Sequence, residues 1–178
     1  MLAMAATRMG RDQLALEAIA SARQLAEDLL LFGADPQDAK KAGFSQMSAS
    51  KYRSYAYAAW STYSWLTLHC LFFHERPIAY PPLLPIPGDL EVNCSYTPPG
   101  SWPALPVAWY TGHTFQEICK LCTIVQEVMA VYLDRGDGTK IPLAFAAAKF
   151  LKVLDWARTL EKHVASSYHA HSHSPSLQ

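Results

Sequence analysis

"SYAYAAWSTYSWLTLHCLFF", Ser54 to Phe73, decides the fold. No Asp, Glu, Lys or Arg interrupts it. Trp60, Ser64, Thr67 and Leu71 recur at helical spacing, and Ser61, Trp65 and Leu68 form the neighbouring stripe. Apolar residues nearly all round predict a helix, from about Ser50 to about Phe73, buried on most sides. Its length would nearly cross a bilayer. Ser54, Ser61, Thr62, Ser64, Thr67 and His69 are scattered along it, however, and leave insertion marginal. The run therefore reads as the buried helix of a globular domain.

The chain then changes character. "HERPIAYPPLLPIPGD", His74 to Asp89, has five prolines in sixteen residues, and nine prolines fall between Pro77 and Pro106. Proline fixes one backbone dihedral and donates no amide, so this is neither helix nor central strand. Yet Ile78, Tyr80, Leu83, Leu84, Ile86, Trp102, Leu105 and Trp109 make it more apolar than a flexible linker. It is expected to lie on the helices as an ordered, irregular cover. Few amides then need buried partners. An outside proline-reading domain is the minor alternative.

Around this centre the chain is helical. Gly10 is expected to stop a first helix near Met9, and Asp12 to cap the next. From there Leu14, Ala18, Ala22, Leu25 and Leu29 repeat, with Ile19 and Ala26 beside them. Glu17, Arg23, Glu27 and Asp28 are expected to fall largely on the opposite, solvated side. A third helix is expected from about Thr114 to Leu133, with Phe115, Ile118, Cys119, Cys122, Val125 and Met129 on its apolar face. "DRGDGTK" ends it on two glycines. Pro142 opens a fourth helix. Its face is Leu143, Ala147, Phe150, Leu151, Leu154, Ala157, Leu160 and Val164, and it is expected to end near Val164. No period-two alternation argues for a strand. The expected fold is all-α, an irregular helical bundle with a long proline-rich ordered connection. It has one domain over residues 1–165 and a disordered tail over 166–178.

With 178 residues, 51% of them hydrophobic, the chain suits one domain with a sizeable core. Fifteen basic residues balance fifteen acidic ones, so no phosphate-binding footprint is evident. Four cysteines make no disulfide framework and read as a reducing compartment. "MLAMAATRMGRDQ" has no charged leader before an apolar stretch and is not read as a secretory signal.

The chemical candidates are few. Cys119 and Cys122 have C-x-x-C spacing, which suits zinc or a redox pair. Cys70 and Cys94 offer no second pair, and both thiols fall on the apolar stripe, so they read as small core residues. His163, His169, His171 and His173 lie in or near the polar tail, where metal would be held loosely. His69 and His113 are single and read as core or capping residues. "DRGDGTK" fails the calcium-loop pattern because Gly136 occupies a ligand position. No nucleophile, base and orienter assemble. No catalytic, cofactor-binding or metal-binding residue is assigned, and the chain reads as not an enzyme.

Two stretches carry a family resemblance. "RSYAYAAWSTYSWLTLHCLFFHERPIAYPPLLPIP" resembles the central regulatory region of fungal zinc-cluster (Zn2Cys6) transcription factors, the middle homology or fungal-specific transcription factor domain. Arg53, Trp60, Trp65, Arg76-Pro77, Pro81-Pro82 and Ile86-Pro87 carry the likeness. "TRMGRDQLALEAIASARQLAEDLLLFG" resembles the helix before that region, and "FLKVLDWARTLEKHV" is similar to a later one. The likeness spans residues 1 to 165, and the stretch from Glu91 to Gly112 carries little of it. It implies a non-catalytic regulatory domain in a nuclear protein controlling RNA polymerase II transcription. Its partners would be the transcription machinery or corepressors, with a small metabolite as a further candidate.

The six-cysteine zinc cluster and the dimerising coiled coil of such proteins are not in this sequence. Zinc, DNA binding and homodimerisation therefore belong to an implied parent, and the sequence reads as part of it. No cofactor and no membrane partner is expected for the chain itself. A free-standing helical ligand-binding or protein-interaction module is the alternative. A small thiol-dependent enzyme using Cys119 and Cys122 is a third reading.

Overall fold

The computed structural model describes residues 6, 8–35, 37, 44, 47–88, 109–133 and 140–172, with side chains left undescribed at 109–113 and 163–172. Among the described residues four helices can be delimited, in order: α1 (Asp12–Asp28), α2 (Ala49–Phe73), α3 (Trp109–Tyr132) and α4 (Leu143–Ser172). No strand occurs among the described residues. The all-α expectation holds. α2 packs against both α1 and α3, and α4 packs on α3.

Local chemistry sets the helix ends. Gly10, at φ 67°, closes the turn before α1, and the amide of Arg11 reaches back to the carbonyl of Ala6. Arg11, not Asp12, occupies the cap position of α1 and makes no side-chain cap bond. Asp12 is instead the first helical residue, where its charge opposes the helix dipole favourably. Ser48 caps α2 by accepting the amide of Lys51. At the other end of α2, His74 takes the left-handed conformation and turns the chain out of the helix.

The core gathers on α2. Ala56, Ala59, Trp60, Tyr63, Leu66 and Cys70 are buried, and Phe32, Ile78, Leu84, Cys119 and Cys122 close around them. The Trp60 and Tyr63 rings meet edge to face, with centroids 5.5 Å apart. Burial of α2 is not complete. Trp65 and Leu71 are about 40% exposed, and Phe72 and Phe73 more so.

Two expected faces are corrected. On α1 the buried residues are Ala15, Ile19 and Ala26, while Leu14, Leu25 and Leu29 stay exposed. Ile19 and Ala26 are buried as expected, and Ala15 joins them, while Ala18 is half-buried and Ala22 exposed. Arg23 and Glu27 are half-buried, not solvated. On α4, Leu143, Phe150 and Leu151 are exposed, and Phe145, Ala146, Lys149 and Trp156 are more covered. Polar anchoring sets that rotation, since the Trp156 indole donates to the carbonyl of Glu117 at 2.9 Å.

Two helix boundaries also move. α3 begins at Trp109, five residues before Thr114. α4 continues past Val164 to Ser172, because no glycine or proline breaks the run before Pro175. Residues 166–172, expected in the tail, are thus its last turns. The remaining tail, residues 173–178, lies outside the described residues, as do most of "DRGDGTK" and the connection from Asp89 to Ala108 with Cys94, Trp102 and Leu105.

Candidate functional site

The strap from His74 to Gly88 has no regular secondary structure, yet Pro77, Ile78, Pro82, Leu84 and Pro87 are buried. Its carbonyls are met by donors from three different helices. Arg23 on α1 donates to the carbonyls of Arg76 at 2.8 Å and Pro77 at 3.2 Å. Trp60 on α2 donates to that of Leu84 at 2.8 Å. Gln126 on α3 donates to those of Ile78 at 2.8 Å and Ala79 at 3.2 Å. The amide of Gly33, a residue at φ 79°, reaches the carbonyl of Tyr80 at 2.8 Å. Proline lowers the number of donors the strap must satisfy, and side chains supply what its acceptors need. Tyr80 and Leu83 remain exposed on its outer side.

The thiols lie in this core. Cys119 and Cys122 are 0% and 1% exposed. Cys119 faces the Ser64 hydroxyl at 3.8 Å, and Cys122 faces the Ser64 carbonyl at 3.8 Å. Burial pushes the Cys119 thiol up to about 11 and raises Cys122 as well. Cys70 sits under the start of the strap, 3.3 Å from the carbonyl of Arg76, and burial raises it too. All three are held in the protonated, unreactive form.

Charge concentrates between α3 and α4. Glu127 accepts from Lys149 and, at 3.0 Å, from Lys152. Burial alone would raise its carboxyl, but the two ammonium groups outweigh that and hold it below the usual range. Glu117 is buried, with one carboxylate oxygen 2.7 Å from Lys120 and the other without a hydrogen-bond partner. The hydroxyls of Tyr63 and Thr67 are likewise buried without one. Burial raises Tyr63 strongly, so it stays a neutral phenol.

A cavity of about 540 Å³ opens between the N-terminal half of α1 and the C-terminal half of α2. Leu16, Ile19, Trp65, Phe72 and Phe73 contribute its apolar wall, with Arg8 and Asp12 also lining it. His69 belongs to the same wall and is 6% exposed. Its ring lies 4.5 Å from that of Phe73, and the Glu75 carboxylate comes within 3.4 Å of Nδ1 without forming a hydrogen bond.

The sequence-level candidates do not converge here. Cys119 and Cys122 are core. The side chains of His113, His163, His169 and His171, and all of His173, lie outside the described residues. Glu27 is tied to Arg23 at 3.0 Å. Among the described residues no group of three or more His, Cys, Asp or Glu is placed to hold a metal ion, and no helix is long and apolar enough to cross a membrane. Sequence reasoning missed the buried Glu117 and Gln126. Gln126 was detectable, because it continues the Cys119, Cys122, Met129 stripe. Comparison with protein-family models, curated proteins and solved structures gives no match.

Proposed function

We propose that the chain is a regulatory, non-catalytic helical domain of the fungal zinc-cluster transcription factor type. It would act in the nucleus on RNA polymerase II transcription through protein partners, without contacting DNA itself. The observation that supports this most is the locked unit of α2 and the strap. The residues of the resemblance take part in it: Trp60 donates into the strap, the Arg76-Pro77 carbonyls receive Arg23, and Pro82 and Pro87 are buried. A balanced charge fits a domain that leaves phosphate contacts to another part of a protein.

The test places this chain between a heterologous DNA-binding domain and a strong activation segment. Reporter transcription is expected to fall several-fold, and Arg23→Met, which frees the strap, is expected to restore part of it. Equal reporter output with and without the chain, at equal protein levels, would sink the reading.

The second reading is a free-standing helical ligand-binding module, and the cavity between α1 and α2 favours it. A thermal-shift screen with small molecules separates the two, because a ligand that binds only the folded chain raises its melting temperature. The thiol-dependent enzyme gains no support from thiols that are buried and raised.

A further inference from the structure

We infer that the cavity between α1 and α2 is a binding site for an uncharged, flat aromatic molecule. This rests on the binding-module reading and is independent of the transcriptional one. Its size, about 540 Å³, falls in the range of small-molecule sites, roughly 300–1,000 Å³. Three ring systems on its wall are unusually open to solvent for their type: Trp65 at 40%, Phe72 at 72% and Phe73 at 65%. A flat ring placed among them removes apolar surface from water on both partners and stacks on faces already in position.

The lining also sets the charge. Arg8 and Asp12 bring opposite signs, so no net field favours an ion. A charged head would lose hydration against the apolar wall without a dedicated partner. The Nδ1 of His69 is buried and lies 3.4 Å from the Glu75 carboxylate, so it does not open into the cavity.

Two other cavities among the described residues offer less. The one of about 430 Å³ near Gly33 includes Arg23, whose donors already serve Glu27, Arg76 and Pro77. The one of about 300 Å³ near Phe145 includes Lys149, already paired with Glu127.

N-Phenyl-1-naphthylamine, uncharged with one N–H, and its sulfonated relative 8-anilinonaphthalene-1-sulfonate share one ring system and differ in charge. The full chain is titrated with each and the probe fluorescence followed. The neutral probe is expected to saturate a single site and bind more tightly than the sulfonate. Leu16→Trp, which fills the cavity, is expected to weaken it about tenfold, which is about 1.4 kcal/mol. Phe72→Ala, at an exposed position, gives the same direction if Leu16→Trp fails to fold. Phe150→Ser on α4, away from the cavity, is expected to leave binding alone. Binding that survives both cavity variants overturns the site. Tighter binding of the sulfonate overturns the ligand class while the module reading survives. No saturable binding of either probe overturns both.

Discussion

The indole N–H of Trp60 donates to the carbonyl of Leu84 at 2.8 Å, joining the centre of α2 to the strap across 24 residues of sequence. Both residues are buried, so water cannot replace either partner. Trp60→Phe keeps most of the ring but leaves the Leu84 carbonyl without this donor. The expected cost is about 2 kcal/mol, from the unsatisfied acceptor and the space left behind. Urea unfolding followed by circular dichroism measures it, and a loss below about 0.5 kcal/mol would remove the indole from its anchoring role.

Arg23 and Gln126 hold the strap from α1 and α3, and the Gly33 amide reports whether they succeed. That amide is tied to the Tyr80 carbonyl, so its hydrogen exchange requires the strap to lift. Gln126→Leu removes donors to Ile78 and Ala79. Arg23→Met removes donors to Arg76 and Pro77. Each substitution is expected to speed Gly33 exchange about tenfold or more while amides of central α2 change less, since about 1.4 kcal/mol corresponds to a factor of ten. Equal acceleration throughout would mean global destabilisation and no distinct strap opening.

The buried thiols make a pH prediction whose direction is fixed. Cys119 is pushed up to about 11 from an ordinary 9.0, so the folded state holds its proton longer than the unfolded state does. Stability from this group is complete below about pH 9 and is lost as pH rises toward 11. Cys119→Ala is expected to flatten the fall in stability between those values. Native alkylation at pH 8 should be slow at Cys70, Cys119 and Cys122 and should quicken in urea. In Arg23→Met, Cys70 is expected to label faster than the other two, because Arg23 closes the strap above it. Rapid native labelling of Cys119 would contradict its burial and reopen a thiol chemistry.

The central helix and the first part of its cover, His74 to Gly88, were legible in the sequence, because a charge-free aromatic run and a proline-dense apolar run admit few arrangements. The α1 face was legible in part. Leu14 and Ala15 head two helical stripes about a quarter-turn apart, and hydrophobicity favours the leucines. The structure buries the expected Ile19 and Ala26 together with Ala15 and leaves Leu14, Leu25 and Leu29 exposed. The rotation of α4 depends on Lys149 and Lys152 meeting Glu127 and on Trp156 meeting Glu117. Those are pairings between helices that periodicity within one helix cannot reveal. The cavity escaped for a similar reason, because a void depends on how two helices diverge.

The acid side tests the α3–α4 link. Glu127 is held below its ordinary 4.5 by Lys149 and Lys152. Its contribution is therefore present above about pH 4.5 and lost as pH falls through the lower folded value. The carboxylate is about one-third exposed, so solvent limits the effect to roughly 0.5 kcal/mol. Glu127→Gln should flatten the acid limb of the stability curve by that amount, and an unchanged limb would assign the link to packing alone.

The corrected α4 face separates apolar residues that hold the fold from those that do not. Leu66 is 1% exposed on α2 and Leu151 is 63% exposed on α4. Removing Leu66 opens a cavity among Phe32, Tyr63 and their neighbours, whereas Leu151 is already mostly hydrated. Leu66→Ala is expected to cost about 3 kcal/mol and Leu151→Ala less than about 0.5 kcal/mol in the isolated chain. The comparison uses the same chemical deletion at both sites, so the difference reads burial directly. If Leu151→Ala costs as much as Leu66→Ala in dilute monomer, α4 buries its leucine face. If it does so only at high protein concentration, a second copy covers that face, because only association makes stability depend on concentration.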